Sequence, residues 1–466
     1  MNQLTIVDYS LILFYLFGLF ILGFVRSRRG GSSAEEYIVA GRRLSLPAFV
    51  ATLVSTWYGG ILGVGEYSYN YGLSNWLVFG VPYYLYAIIF AFFIAGRAWQ
   101  TRLLTIPDQL EKSYGRSVSI AGAFFLIILS TPAPYVLMLG ILCQMLMGWP
   151  LWLGISAGAL LSMMYSFRGG LATIVRTEIL QFVLMYAGFV VILIAAIIKF
   201  GGVDFIKTNV PATHLTWHGG NAPQFIFVWY FIAMSTLVDP SFYQRCYAAK
   251  SAATARSGIL VSVAFWFVFD FMTTTTGLYA RAVLPMLENA AESYPRLAVV
   301  LLPPLARGLF FVALLAIIMS TIDSYAFLSA VTFGKDLWWK MLGEKKSEPV
   351  HLIRLSLIFT FLLAVGLAAW SQSVVNLWYQ VGTLATPALL IPLASSFSEK
   401  WKMSSSGALM AMLASAAVTG GAMIARWQSY PLLGIEPIYF GLITSLSIFL
   451  TEYLRRSRVR VQPSDV

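Results

Sequence analysis

Ser320, Thr321 and Ser324 stand in the middle of a long apolar run, with Asp323 among them. At about 100° per residue, Ile317, Ser320, Thr321 and Ser324 fall within one sector of roughly 100°, and Asp323 lies about 60° to the side of Ser320. Hydroxyls and backbone carbonyls are hard oxygen ligands that lack the strong field of several carboxylates. Such a face suits a monovalent cation, and sodium is the natural candidate. Calcium would need more converging acids, and no EF-hand loop pattern is present. An acid inside an apolar span costs at least about 2.5 kcal/mol, so it faces a partner, an ion or a wet cavity. Asp323 is expected on the ion path for that reason. Glu178 is expected there too, as a gating or coupling carboxylate, or else paired with Arg176. Asp270 and Glu66 are further acids in or near apolar runs.

Other residues suit a small solute. Gly59, Gly60, Gly63 and Gly65 fall inside one apolar run, and Ser235 and Thr236 precede Asp239 and Pro240 inside another. Glycines allow close helix packing. Interrupted helices at matching places in two halves of a chain, however, mark an inverted-repeat transporter whose freed carbonyls hold a cation at mid-membrane. Trp57 and Tyr58 flank the glycine run, where aromatic faces can close over a solute, and Gly60 and Ser235 join them as candidate solute contacts.

The elements that must position these groups are membrane helices. The 466 residues are 59% hydrophobic and 11% charged, where soluble domains carry charge on about a quarter of residues. That balance excludes a water-soluble enzyme, and no nucleophile–base pairing or cofactor loop is visible. In lipid only helices or closed barrels satisfy the backbone, and long apolar runs select helices. Thirteen runs stand near 6–25, 47–72, 75–98, 117–146, 149–167, 170–199, 223–248, 252–284, 304–340, 351–371, 374–397, 405–425 and 435–454. They leave no room for a separate soluble domain. The start lacks the positive region of a secretory signal, so the first run is read as a retained span. Cys143 and Cys246 lie in or beside apolar runs and suggest no disulfide framework. His214, His218 and His351 fall in expected loops, and no transition-metal site is expected.

Charge placement supports the count of spans. The net charge of +11 comes from basic blocks between spans. One side collects Arg26, Arg28, Arg29, Arg42, Arg43, Arg97, Arg102, Lys112, Arg116, Arg168, Arg176, Arg245, Lys250 and Arg256. It continues with Lys335, Lys340, Lys345, Lys346, Arg354, Lys400, Lys402, Arg455, Arg456, Arg458 and Arg460. The other side holds only Lys199, Lys207, Arg281, Arg296, Arg307 and Arg426. By the positive-inside rule the N-terminus is outside and the C-terminus cytoplasmic, in a cell membrane. No Arg or Lys is placed at mid-membrane.

Five blocks carry a family resemblance. They are Glu36 to Leu44; Ala51 to Gly60; Gly169-Gly170-Leu171 through Thr177-Glu178 to Gln181; Gln244-Arg245 with Ala248-Ala249-Lys250-Ser251; and Met319 to Ser324 with Lys335-Asp336-Leu337. In this order, across residues 36 to 337, they resemble the sodium:solute symporter family. The resemblance implies an all-α integral membrane protein with a LeuT-like five-plus-five inverted repeat, one extra N-terminal helix and two extra C-terminal helices. It implies a single transporter domain over 1–466, with repeats at 46–199 and 223–397 and peripheral segments at 1–30 and 400–466. Carried onto this chain, the family's main sodium site takes the carbonyls of Leu53, Thr56 and Ile317 and the hydroxyls of Ser320 and Thr321. The family's acid after the Gly-Gly-Leu block is usually Asp, and here it is Glu178. Some members carry an acid at the position of Ser55, which marks Ser55 as an ion-path position, and others a polar side chain at that of Gly60. The solute is thus not fixed by the resemblance. The expected activity is sodium-driven import of a small organic solute by alternating access, in a monomer or weak homo-oligomer. Its rivals are proton coupling through Glu178 or Asp323, and a membrane sensor that binds a solute without moving it.

Overall fold

The computed structural model describes residues 4–25, 33–166, 170–343, 348–371, 373–428 and 434–461. Of the charge pattern, Arg26, Arg28, Arg29, Arg168, Lys345 and Lys346 lie outside the described residues, as does Gly169 of the Gly-Gly-Leu block.

The apolar runs fold as helices because a backbone in lipid must bond within itself. They are α1 (Ile6–Val25), α2 (Leu46–Tyr71), α3 (Trp76–Phe93), α4 (Arg116–Met147), α5 (Leu151–Ser166), α6 (Gly170–Phe200) and α7 (Pro223–Ala248). There follow α8 (Ala252–Val283), α9 (Ala306–Trp339), α10 (Val350–Ser371), α11 (Val374–Ser395), α12 (Ser405–Trp427) and α13 (Pro437–Val461). Among the described residues, twelve are long and apolar enough to cross a membrane. The remaining one, α5, has 16 residues, about 24 Å at 1.5 Å per residue against a hydrocarbon core of about 30 Å. Its start is set by Pro150, whose carbonyl accepts from the N–H groups of Leu153 and Gly154.

Two of these helices, α2 and α7, are interrupted. In α2, the half-helix α2a (Leu46–Trp57) passes through a 3₁₀ turn over Tyr58–Gly60 into α2b (Ile61–Tyr71). The interruption is narrower than four glycines suggest, because most of them serve close approach: a Cβ on Gly60 or Gly63 would strike Trp378, and one on Gly65 would meet Tyr294. In α7, α7a (Pro223–Ile232) leads through a 3₁₀ turn over Ala233–Leu237 to α7b (Pro240–Ala248). Pro240 cannot donate to a preceding helix, so the break is complete there. Asp239 caps the new start, its carboxylate accepting from the N–H of Ser241 at 2.7 Å.

At the centre, α9 packs on α6, α1, α2a and the 3₁₀ turn of α2. Its most apolar window is 94% buried, against 28% for α12 and 22% for α13, so the last two helices form the lipid-facing periphery. Ion pairs fasten both ends of α9. At one end Arg307 pairs with Asp8 of α1 at 2.6 Å. At the other, Lys335 meets Asp108 at 2.6 Å and Asp336 at 2.8 Å, and Lys340 pairs with Asp108 and Glu111 of the short helix Ile106–Tyr114.

Candidate functional site

The hydroxyl face of α9 meets the end of α2a. Ser320 Oγ lies 2.7 Å from the carbonyl oxygen of Ile317 and 3.0 Å from that of Ser55. Thr321 Oγ1 lies 2.8 Å from the Thr56 carbonyl oxygen and 3.3 Å from those of Ser55 and Ile317. Five oxygens thus converge around only two hydroxyl protons, all on fully buried residues. The last four carbonyls of a helix lack donors from their own helix. In α2a these belong to Val54, Ser55, Thr56 and Trp57. Leu53, expected in this group, sits one residue deeper in the helix, and the carbonyl of Ser55 takes that place in these contacts. Gly59 makes the approach possible, since a Cβ there would collide with Thr321.

A second cluster shares Thr56 with the first. Glu178 of α6 accepts from the hydroxyls of Thr52, Thr56 at 2.7 Å and Ser324 at 2.6 Å. Its ionic partner is Arg245 of α7b, with Nη2 at 3.3 Å, and neither side chain is exposed. The same Nη2 lies within hydrogen-bonding distance of the hydroxyls of Ser324 at 2.6 Å, Thr56 at 2.8 Å and Thr52 at 3.0 Å, which share its two N–H groups with Glu178. Two expectations are corrected here. Glu178 pairs with Arg245 rather than Arg176, and Arg245 is a core residue rather than a loop charge. The signal for this was present: Arg245 follows the Asp239-Pro240 break by one and a half turns and is flanked by Tyr243, Cys246 and Tyr247, all buried.

Asp323 leaves the group formed by its neighbours. It is buried and accepts from Ser162 of α5 at 2.7 Å. The 60° offset from Ser320 turns it toward α5 rather than toward α2a.

Trp57, Tyr58, Gly60 and Ser235 come together on the wall of one open cavity, whose non-protein space including its mouth is about 880 Å³. Sequence reasoning did not place Tyr83, Tyr135, Tyr325, Trp378 or Asp239 there, yet all line it. Asp270 lines it as well and accepts from the hydroxyls of Tyr58 and Tyr84. Tyr325 follows Ser324 on α9 and donates to Asp239 at 2.7 Å, joining the cavity to the helix that carries the oxygen cluster. Glu66, on α2b, is partly exposed and is not among the lining residues.

The chain and its fold are similar to known proteins. Residues 37–415 match the model of the sodium:solute symporter family. The sodium/pantothenate symporter of Escherichia coli is 27% identical over 96% of this chain and 95% of its own length. Sodium/proline symporter 2 of Staphylococcus saprophyticus is 24% identical over 96% and 91%. The fold is that of a Na⁺-coupled sialic acid symporter solved in a substrate-bound outward-open state: TM-score 0.78, 16% identity, 97% of this chain and 98% of that one. The chain therefore belongs to the sodium:solute symporter family, as a multi-pass membrane protein with a LeuT-like five-plus-five repeat that couples sodium to the movement of a small solute.

Proposed function

We propose that sodium binds among the carbonyls of Ser55, Thr56 and Ile317 and the hydroxyls of Ser320 and Thr321, and that the solute occupies the cavity beside Trp57, Tyr58, Gly60 and Ser235. The observation that carries this reading is the meeting of the C-terminal end of α2a with the hydroxyl face of α9: the Ser55 and Thr56 carbonyls, which have no donor from their own helix, share the two hydroxyl protons of Ser320 and Thr321 with the Ile317 carbonyl and are left short of positive charge. A bare cation corrects that shortage when each hydroxyl turns its proton outward. The ion would then bridge α2a of the first repeat and α9 of the second. A ligand shifts a conformational balance only by its difference in affinity between states, and an ion shared by two repeats binds only where both present their oxygens. Sodium thereby favours the state that accepts solute, and the two leave together. Repeat limits at 46–199 and 223–397, peripheral segments at 1–30 and 400–466, an outside N-terminus, a cytoplasmic C-terminus, a monomer or weak homo-oligomer and the absence of catalysis belong to the same reading. The test is uptake of a panel of labelled solutes into proteoliposomes with and without an inward sodium gradient. Ser320→Ala combined with Thr321→Ala should abolish sodium activation. Sodium activation unchanged in the double variant would refute the assignment.

A further inference from the structure

The charges around the cavity are unbalanced. Asp239 and Asp270 line it, and no Lys, Arg or His does so among the described residues. Arg245, the guanidinium of α7b, is engaged by Glu178 and three hydroxyls, and no ion pair reaches Asp239 or Asp270 among the described residues. Each oxygen of Asp270 accepts a tyrosine hydroxyl. Asp239 accepts one N–H on Oδ1 and the Tyr325 hydroxyl on Oδ2, both at 2.7 Å. A carboxylate has about four acceptor positions, so Asp239 keeps about two for a ligand.

Helix poles act in the same direction. A free helix N-terminus would attract an anion, but the start of α7b is already capped by Asp239. The C-terminal ends of α2a and α7a, which carry partial negative charge, reach the cavity through Trp57 and Ile232. Aromatic faces complete the wall. Tyr135 lies 5.5 Å from Tyr325 and 6.4 Å from Trp378, centroid to centroid, and Trp57 lies 5.2 Å from Tyr83. Such faces attract a cation held within about 6 Å of the ring.

We propose that the solute is an organic cation with a compact substituted-ammonium head, received against Asp239 within the aromatic wall formed by Trp57, Tyr135, Tyr325 and Trp378. Anions find no basic partner there, and zwitterions find none for their carboxylate. This rests on the sodium-coupled reading above and names the chemical class of its solute. The test is competition in proteoliposomes containing the full chain, with labelled choline as the probe and an inward sodium gradient. Unlabelled tetramethylammonium should compete, while glycine betaine, glucose and pantothenate at equal concentration should not. Asp239→Asn, which keeps a good helix cap, should raise the half-saturation for choline at least about tenfold. Trp378→Leu should weaken it as well. The proposal is overturned if choline is not taken up, if the anion or the neutral sugar competes as well as the cation, or if Asp239→Asn has no effect. Should that variant not fold, competition in the unaltered protein decides alone. Thermal stabilisation by sodium in the absence of solute separates the two readings. If it is present while choline is ignored, only the solute class fails; if it is absent, the sodium site fails.

Discussion

Two oxygen-rich clusters meet at Thr56, and they solve the same electrostatic problem in opposite ways. On one side the Thr56 carbonyl joins Ser55, Ile317, Ser320 and Thr321 in a group without formal charge. On the other its hydroxyl joins Thr52, Ser324 and Glu178 around the guanidinium of Arg245. The second cluster carries its own cation, although the Nε of Arg245 is buried without a hydrogen-bond partner. The first has none and is suited to an ion from solution. The two clusters share Thr56, yet the charged one draws its ions from α7b and α6 while the uncharged one is built from α2a and α9 alone.

The strongest way to break this comparison is to remove the permanent charge. Arg245→Met leaves Glu178 buried without its ionic partner, which should cost about 3–5 kcal/mol. The melting temperature of the purified protein should fall steeply, and Glu178→Gln in the same chain should recover most of the loss. A single variant as stable as the parent would show that the pair is not structural. A smaller change sharpens the other side. Thr321→Val removes one ligand oxygen and should raise the sodium half-saturation about tenfold, or about 1.4 kcal/mol, while Thr321→Ser keeps the oxygen and should leave it near the parent value. Equal values for the two would remove Thr321 from the ion site. The smallest effect is expected at the charged cluster beyond α9, a control remote from both. Burial pushes the Asp108 carboxyl up, but Lys335 and Lys340 outweigh it and hold it below the ordinary value of 3.8. A lowered carboxylate contributes stability above its unfolded pKa of about 3.9 and loses it as pH falls through the folded value. Asp108→Asn should therefore melt earlier near neutral pH, by about 1 kcal/mol, and the gap should close in acid. A gap that widens in acid would invert the assignment.

The parts that were legible in the sequence are those governed by a period or a solvent. Lipid dictates the helices, and the 100° step along α9 puts Ile317, Ser320 and Thr321 on one face whatever surrounds them. The same step, taken seriously, already turns Asp323 aside, and its partner Ser162 lies more than 160 residues away. What was not legible depends on contact between distant segments. Arg245 looks like one of the cytoplasmic basic residues because charge placement records the side of the membrane and not the depth of a side chain. Tyr135, Tyr325 and Trp378 belong to three different helices, and nothing local in their surroundings distinguishes a cavity wall from ordinary packing. The glycines of α2 were ambiguous for a physical reason. The absence of a side chain permits both a turn and a close neighbour, and the structure uses both.

The ion pair between Arg307 and Asp8 has a mechanical consequence. It fastens α1, whose apolar window is only 28% buried, to α9, the best buried of the candidate spans. Any tilt of α9 during the transport cycle drags that outer helix through the lipid, so the surrounding bilayer becomes part of the load the ion gradient has to shift.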